Sequence, residues 1–235
     1  MTRYQHQIKI LFAVDCIIFG FDGRQLKILL VQRALEPEIG KWSLMGGFVQ
    51  ANESLDQAAT RVLEKLTGLS NVYLEELGAF SKPDRDPAER TVSIAYFALI
   101  DINKYKQQIT TDYHAEWFDL NKHPKLIFDH NEMVEKAKAR LRYKAALHPI
   151  LFELLPTKFT LPQLQSLYEE VYNIEMDKRN FSRKILSMKL LEKLEEKDKE
   201  NSKKGAWFYK LNKKKYKANF HAVATIIPNP DIYYS

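Results

Sequence analysis

Between Gly46 and Leu69 the chain places two adjacent glycines, a capped helix and a glycine stop in immediate succession. Leu55, Ala58, Ala59, Val62, Leu63 and Leu66 recur at helical spacing. Ser54 and Gln57 form a capping-box pair at the start, and Gly68 ends the helix. A helix with one apolar stripe has to be laid against an apolar sheet or another helix. Partners are at hand. Ile8–Phe19 and Leu26–Val31 read as strands around the turn Phe21-Asp22-Gly23-Arg24, and Val72–Phe80, Thr91–Ile100 and Glu116–Leu120 read as further strands. Asp129–Leu147 is predicted to be a second helix, with basic and apolar faces. Gly46 and Gly47 are read as a tight loop.

His148–Phe159, punctuated by Pro149 and Pro156, marks a junction. The expected division is a domain over 1–150 and another over 151–235, and the fold class is α+β. Positive charge is concentrated in the second part. Of 36 Lys/Arg and 30 Asp/Glu in the chain, Asn173–Asn219 holds 15 and 7, which leaves 21 and 23 elsewhere. Such a chain reads as a neutral module joined to a polyanion binder. The single cysteine, Cys16, lies in an apolar run and is read as a small buried hydrophobe; a disulfide within the chain is excluded. No apolar stretch reaches the length of a membrane span and the first residues lack a signal-peptide core, so a cytoplasmic chain with no membrane partner is expected.

Gly47, Glu53, Arg61, Leu63, Gly68 and Leu69 fall in the register G-x5-E-x7-R-E-U-x-E-E-x-G-U, where U is bulky and aliphatic. The segment resembles the Nudix box, and the resemblance extends over roughly residues 8–145. It implies an α/β/α sandwich. In active members of that family, glutamates of the R-E-U-x-E-E run bind divalent metal, and hard cations need several converging carboxylate oxygens. The three positions are Val62, Lys65 and Leu66 here. Glu64 occupies the variable position, about one hundred degrees around the helix from Lys65. Glu53 alone cannot hold a catalytic metal. The chain is therefore expected to be no enzyme, with no catalytic residue, metal or cofactor, and its Nudix pocket is expected to sense a ligand. Arg61 is read as a structural partner of a nearby carboxylate. Asp15, an acid within an apolar strand, needs a partner if buried: a backbone group or arginine, or more pointedly a ligand hydroxyl.

Thr160–Asn173 and Asp177–Leu194 are predicted to be helices joined by a short turn, the first opened by a Thr160/Gln163 capping box with Pro162 in its first turn. Phe181, Ile185 and Met188 share one face of the second helix, and Arg179 and Arg183 lie opposite. A recognition helix docks its apolar face and offers its polar half to the major groove. Arginine suits guanine edges and asparagine suits adenine edges. The charged run from Lys197 to Lys204, followed by the strand Ala206–Leu211, reads as a wing. Trp207, Phe208 and Tyr209 are assigned to packing. The expected DNA-facing residues are Thr160, Gln163, Lys178, Arg179, Asn180, Ser182, Arg183, Ser187, Lys203 and Lys204. A basic module for RNA or protein is the competing reading of this half.

Taken together, the two halves resemble the Nudix-related transcriptional regulators, which join a degenerate Nudix domain to a winged helix-turn-helix. The resemblance implies a homodimeric, ligand-responsive repressor of operator DNA. One branch of that family responds to ADP-ribose and another to L-arabinose, and the chain looks more like the arabinose-responsive branch. Candidate effector contacts are Asp15, Arg33, Lys41, Trp42, Phe48, Glu53 and Arg90. The alternative is a Nudix hydrolase of ADP-ribose or a related nucleoside diphosphate derivative, suggested by the surviving Gly47, Glu53 and Arg61.

Overall fold

The structure, a computed structural model, describes residues 7–106, 114–200, 205–212 and 214–215. Strand β1 (Leu11–Phe21) is its organising element. It runs parallel to β6 (Thr91–Asp101) along its whole length, from Leu11 against Thr91 to Phe21 against Asp101. On its other side it has two partners. Ile18–Phe21 pair with β2 (Leu26–Gln32), and Ala13–Cys16 pair with β4 (Met45–Phe48). The sheet forks there. β2 goes on to pair with β3 (Trp42–Ser43) and β7 (Glu116–Asp119), and β5 (Tyr73–Phe80) lies beyond β6.

Strand periodicity sorts β1 between two helix layers. Val14, Cys16 and Ile18 join the cluster beneath α1 (Leu55–Thr67), while Ile17, Phe19 and Phe21 join the one beneath α3 (His130–Leu147). A short helix, α2 (Ile102–Tyr105), follows β6. The expected α/β/α sandwich is thus present. The α1 signals operate as predicted: Ser54 accepts from the Gln57 N–H, Gln57 accepts from the Ser54 N–H, and Gly68 is left-handed at φ 74°. Cys16 is buried, its thiol directed at the Ala59 carbonyl and its pKa pushed up by burial.

Gly46 and Gly47 are in a strand and form no loop. A Cβ on Gly46 would lie 2.5 Å from Asp15 Oδ1, and one on Gly47 would lie 2.7 Å from Val62 Cγ2. Their missing side chains let β4 approach both β1 and α1.

The second unit begins with a 3₁₀ helix (Pro149–Leu154) and β8 (Phe159–Thr160). Then come α4 (Leu161–Tyr172), α5 (Lys178–Ser187), β9 (Leu191–Asp198) and β10 (Ala206–Leu211), with the strands in the antiparallel order β8-β10-β9. This is a winged helix-turn-helix. The second helix is shorter than predicted. It ends at Ser187, Lys189 turns the chain at φ 56°, and Leu191–Leu194 belong to a strand paired with β10. Leucines at 186, 190, 191 and 194 suit a helical spacing, and a distant strand pairing overrides it.

The units share their core. One cluster of buried side chains runs from Ile17 and Leu26 through Leu141 and Leu151 to Leu164, Tyr168 and Tyr209. Polar contacts reinforce it. Leu26 N–H donates to Glu170, Arg142 donates to the Val171 carbonyl at 2.8 Å, and the Tyr172 hydroxyl donates to the Arg142 carbonyl at 2.9 Å. No described helix is long and apolar enough to cross a membrane.

Candidate functional site

The fork between β2 and β4 opens a cleft of about 430 Å³, within the range of small-molecule sites. Its floor carries Asp15, Ser43 and Gly46; one wall is Arg33 to Leu35; α1 contributes Arg61, Val62, Lys65 and Leu66; and Phe48 stands at the rim, 52% exposed. A smaller recess of about 100 Å³ shares Asp15, Arg33 and Phe48 with it and reaches Arg85, Phe128 and His130.

A buried polar network underlies this floor. Asp15, only 5% exposed, accepts a 2.6 Å hydrogen bond from the Ser93 hydroxyl. Arg85 Nη2 lies 3.6 Å from Asp15 and grips Asp129 through two hydrogen bonds of 2.8 and 2.9 Å. Asp129 precedes the first turn of α3 and makes no side-chain cap, because Arg85 holds its carboxylate. His130 Nδ1 accepts from the Leu44 N–H at 3.2 Å, so the neutral ring carries its proton on Nε2, 3.6 Å from Asp15. Burial lowers the His130 pKa, and the nearby carboxylates offset only part of that.

Along α1, Arg61 donates to both oxygens of Glu53 and to the Phe48 carbonyl. The Arg61 hydrogen bonds hold the Glu53 carboxyl down at about 2. Glu53 also accepts from the Gln50 N–H, and it does not line the cleft. The Nudix-box pair Glu53/Arg61 therefore pins the β4–α1 loop. A divalent cation does not fit the remaining donors. Val62 is buried against Gly47, Leu66 is apolar, Lys65 is cationic, and the one neighbouring acid, Glu64, is exposed away from the cleft. Among the described residues, no three His, Cys, Asp or Glu side chains converge as a metal site.

Of the predicted effector contacts, Asp15, Arg33 and Phe48 line the cleft. Four do not. Lys41 is exposed and paired with Glu38. Trp42 alternates to the opposite face from Ser43 and packs edge-on to Phe118. Glu53 is consumed by Arg61. Arg90 clips its loop by donating to the carbonyls of Ser81, Lys82 and Thr91. The sequence reading missed Arg85, Asp129, His130 and Lys65 as parts of the site. Asp84-Arg85-Asp86-Pro87 and Phe128-Asp129-His130 resemble segments of ADP-ribose-type Nudix proteins, but nothing local shows that they meet under β1.

The basic surface belongs to α5 and the hairpin β9–β10. Phe181 and Ile185 are buried, and Phe181 meets Tyr168 of α4 at 5.7 Å. Lys178, Arg179, Asn180, Arg183 and Ser187 are exposed on the outer face, and Ser182 is half-buried. Asp177 caps the helix by accepting from the Asn180 N–H, and the Asn180 side chain accepts from Arg183 at 2.9 Å. On the hairpin, Lys193 and Lys197 flank the Trp207 ring at 3.8 and 4.4 Å, while Tyr209 is buried. Thr160 leaves the DNA-facing set: it is buried, and its hydroxyl and Gln163 close the α4 cap on each other. Lys203 and Lys204 lie outside the described residues.

Residues 9–137 match the NUDIX domain, and residues 151–211 match the NrtR DNA-binding winged helix domain. The chain is 36% identical to the ADPR responsive transcriptional repressor NtrR of Acinetobacter baylyi, over 89% of this chain and 85% of the other. The chain belongs to the NrtR family. Shewanella oneidensis NrtR, crystallised with a 27mer DNA, superposes with a TM-score of 0.75 at 30% identity, covering 91% of this chain and 95% of that one. The Nudix domain of the same NrtR, crystallised with ADP ribose, superposes with a TM-score of 0.51 at 33% identity, covering 60% and 99%. The ADP-ribose pyrophosphatase of Methanocaldococcus jannaschii is 35% identical over 57% of this chain and 77% of its own length. As an NrtR-family member the chain is a regulator with a DNA-binding winged helix and a Nudix ligand domain. The arabinose expectation finds no support among these relatives. It rested on overall resemblance, with no residue of the cleft behind it.

Proposed function

We propose that this chain is a transcriptional repressor that grips duplex DNA with the outer face of α5 and the β9–β10 wing, and that ADP-ribose in the Nudix cleft sets its affinity for the operator. The observation that carries the reading is the joining of the two sites by α3. Asp129 and His130 at its start belong to the network under the cleft floor, and Arg142 near its end holds α4. A ligand that binds one arrangement of this body better than another shifts the population toward it. In a dimer, that shift changes the match between two recognition helices and half-sites about one DNA turn apart. Arg179 and Arg183 are assigned to base edges, and Lys178, Lys193 and Lys197 to phosphates.

A gel shift on the DNA upstream of the chain's own gene tests the reading, with ADP-ribose and L-arabinose titrated in parallel. A retarded band that responds to ADP-ribose and ignores arabinose is expected. Absence of a duplex shift at moderate salt, with RNA retained, defeats the DNA assignment. The hydrolase reading keeps one specific support, the pyrophosphatase-like framework of Gly47, Glu53 and Arg61. Release of AMP from ADP-ribose in magnesium or manganese would establish it against the sensor.

A further inference from the structure

The NrtR-family Nudix domain of this chain keeps a cleft and lacks carboxylates for a cation, yet a diphosphate still requires positive charge. We propose that Lys65 supplies that charge in place of a divalent metal, so that this chain binds a nucleoside-diphosphate ligand without any metal ion. The inference rests on the ADP-ribose reading above.

Arg61 and Lys65 are four residues apart, one above the other on the cleft-facing side of α1, and both line the cleft. They are not equivalent. Arg61 is neutralised by two hydrogen bonds to Glu53. Lys65 forms no ion pair with any described residue, and it is flanked by the apolar Val62 and Leu66. It is an exposed ammonium with three donors on the lining of a cleft with apolar walls.

The facing wall carries a second uncompensated cation. Arg33 donates to the carbonyls of Leu35 and Pro37 at 2.9 and 2.7 Å, lies 5.2 Å from the Phe128 ring centroid, and pairs with no described carboxylate. Its guanidinium is thereby held in place with its charge unspent. Glu53 is matched by Arg61, while Asp15 and Asp129 share the single charge of Arg85, so the buried floor keeps one negative charge against the two cations of the walls. Lys65 and Arg33 thus present positive charge from two walls and leave the cleft positive on balance, which favours a diphosphate over the cation that usually accompanies one. A lysine also holds phosphate as a point charge without demanding fixed geometry.

The test is calorimetric titration of the full chain with ADP-ribose, in excess EDTA and again in millimolar magnesium. Equal affinity in the two buffers is expected. Lys65→Gln should weaken binding on the order of ten- to a hundredfold, as loss of a charge-assisted hydrogen bond does, and Lys65→Arg should restore most of it. Without ligand, the melting temperature of Lys65→Gln should match that of the unsubstituted chain, because the side chain is exposed and unpaired. Binding that vanishes in EDTA and returns with magnesium overturns the inference and leaves the ADP-ribose reading standing. So does a Lys65→Gln protein that binds as tightly as the original. Failure of ADP-ribose to bind in either buffer overturns the ADP-ribose reading, and the inference with it.

Discussion

His130 and Glu53 set different limits on the same protein. Burial lowers the His130 pKa below its ordinary 6.5, so the unfolded chain takes up that proton first as pH falls. Its contribution to stability is complete above about pH 6.5 and erodes below it. Glu53 is held at about 2 against an ordinary 4.5, so its contribution persists above 4.5 and disappears only between 4.5 and about 2. Melting temperature should therefore begin to fall between pH 7 and 5, above the range in which Glu53 is lost. His130→Gln, which cannot titrate, should flatten that part of a calorimetric pH series. Asp129→Ala is the harsher change. It strips Arg85, whose side chain is 3% exposed, of both its short hydrogen bonds. Breaking a buried pair costs about 3–5 kcal/mol, and the loss here should sit near the lower end because Asp15 remains close. Chemical denaturation at constant slope would measure it.

Elements differ in how openly the chain announces them. α1 was legible because every signal for it is local: a capping box, a stripe, a glycine. α5 was legible at its start, where Asp177 caps it, and misjudged at its end, where the decision falls to β10 nearly twenty residues further on. The cleft divides in the same way. Asp15, Arg33 and Phe48 could be picked from β1, the end of β2 and β4, since Arg33 directly follows β2. Arg85 and His130 could not, since only the folded sheet brings positions 70 and 115 residues beyond Asp15 against it. Trp42 misled for a third reason. Strand alternation sends it to the core and gives its neighbour Ser43 to the cleft. On α5 the roles assigned to single residues separate cleanly. Arg183→Ala should cost about 1–3 kcal/mol on the preferred operator and relax its base preference. Lys197→Ala should weaken all duplexes alike and reduce the salt slope by about one. Competition gel shifts over a range of salt would tell them apart.

At the scale of the whole molecule, the sensing and DNA-binding units are one packed body. Leu26 and Phe21 of the first unit share a cluster with Leu164, Tyr168 and Phe181 of the second. The chain should therefore unfold in a single calorimetric transition, and a ligand confined to the Nudix cleft should move that entire transition. At about 100 times its dissociation constant the added stability is about 2.7 kcal/mol. Two resolved transitions, only one of them shifted by ADP-ribose, would show the units to be energetically independent.

Helix α3 ties the two sites to each other. Its 18 residues span about 27 Å, and Arg142, which holds α4, lies about 18 Å along it from the cleft floor. Met133, Val134, Ala137, Leu141 and Ala145 are buried in the shared core along that length. On the repressor reading, a ligand that favours one setting of the cleft floor is therefore expected to act on α4 through a shift of this packed helix by about 1–2 Å, with no large motion of the sensor.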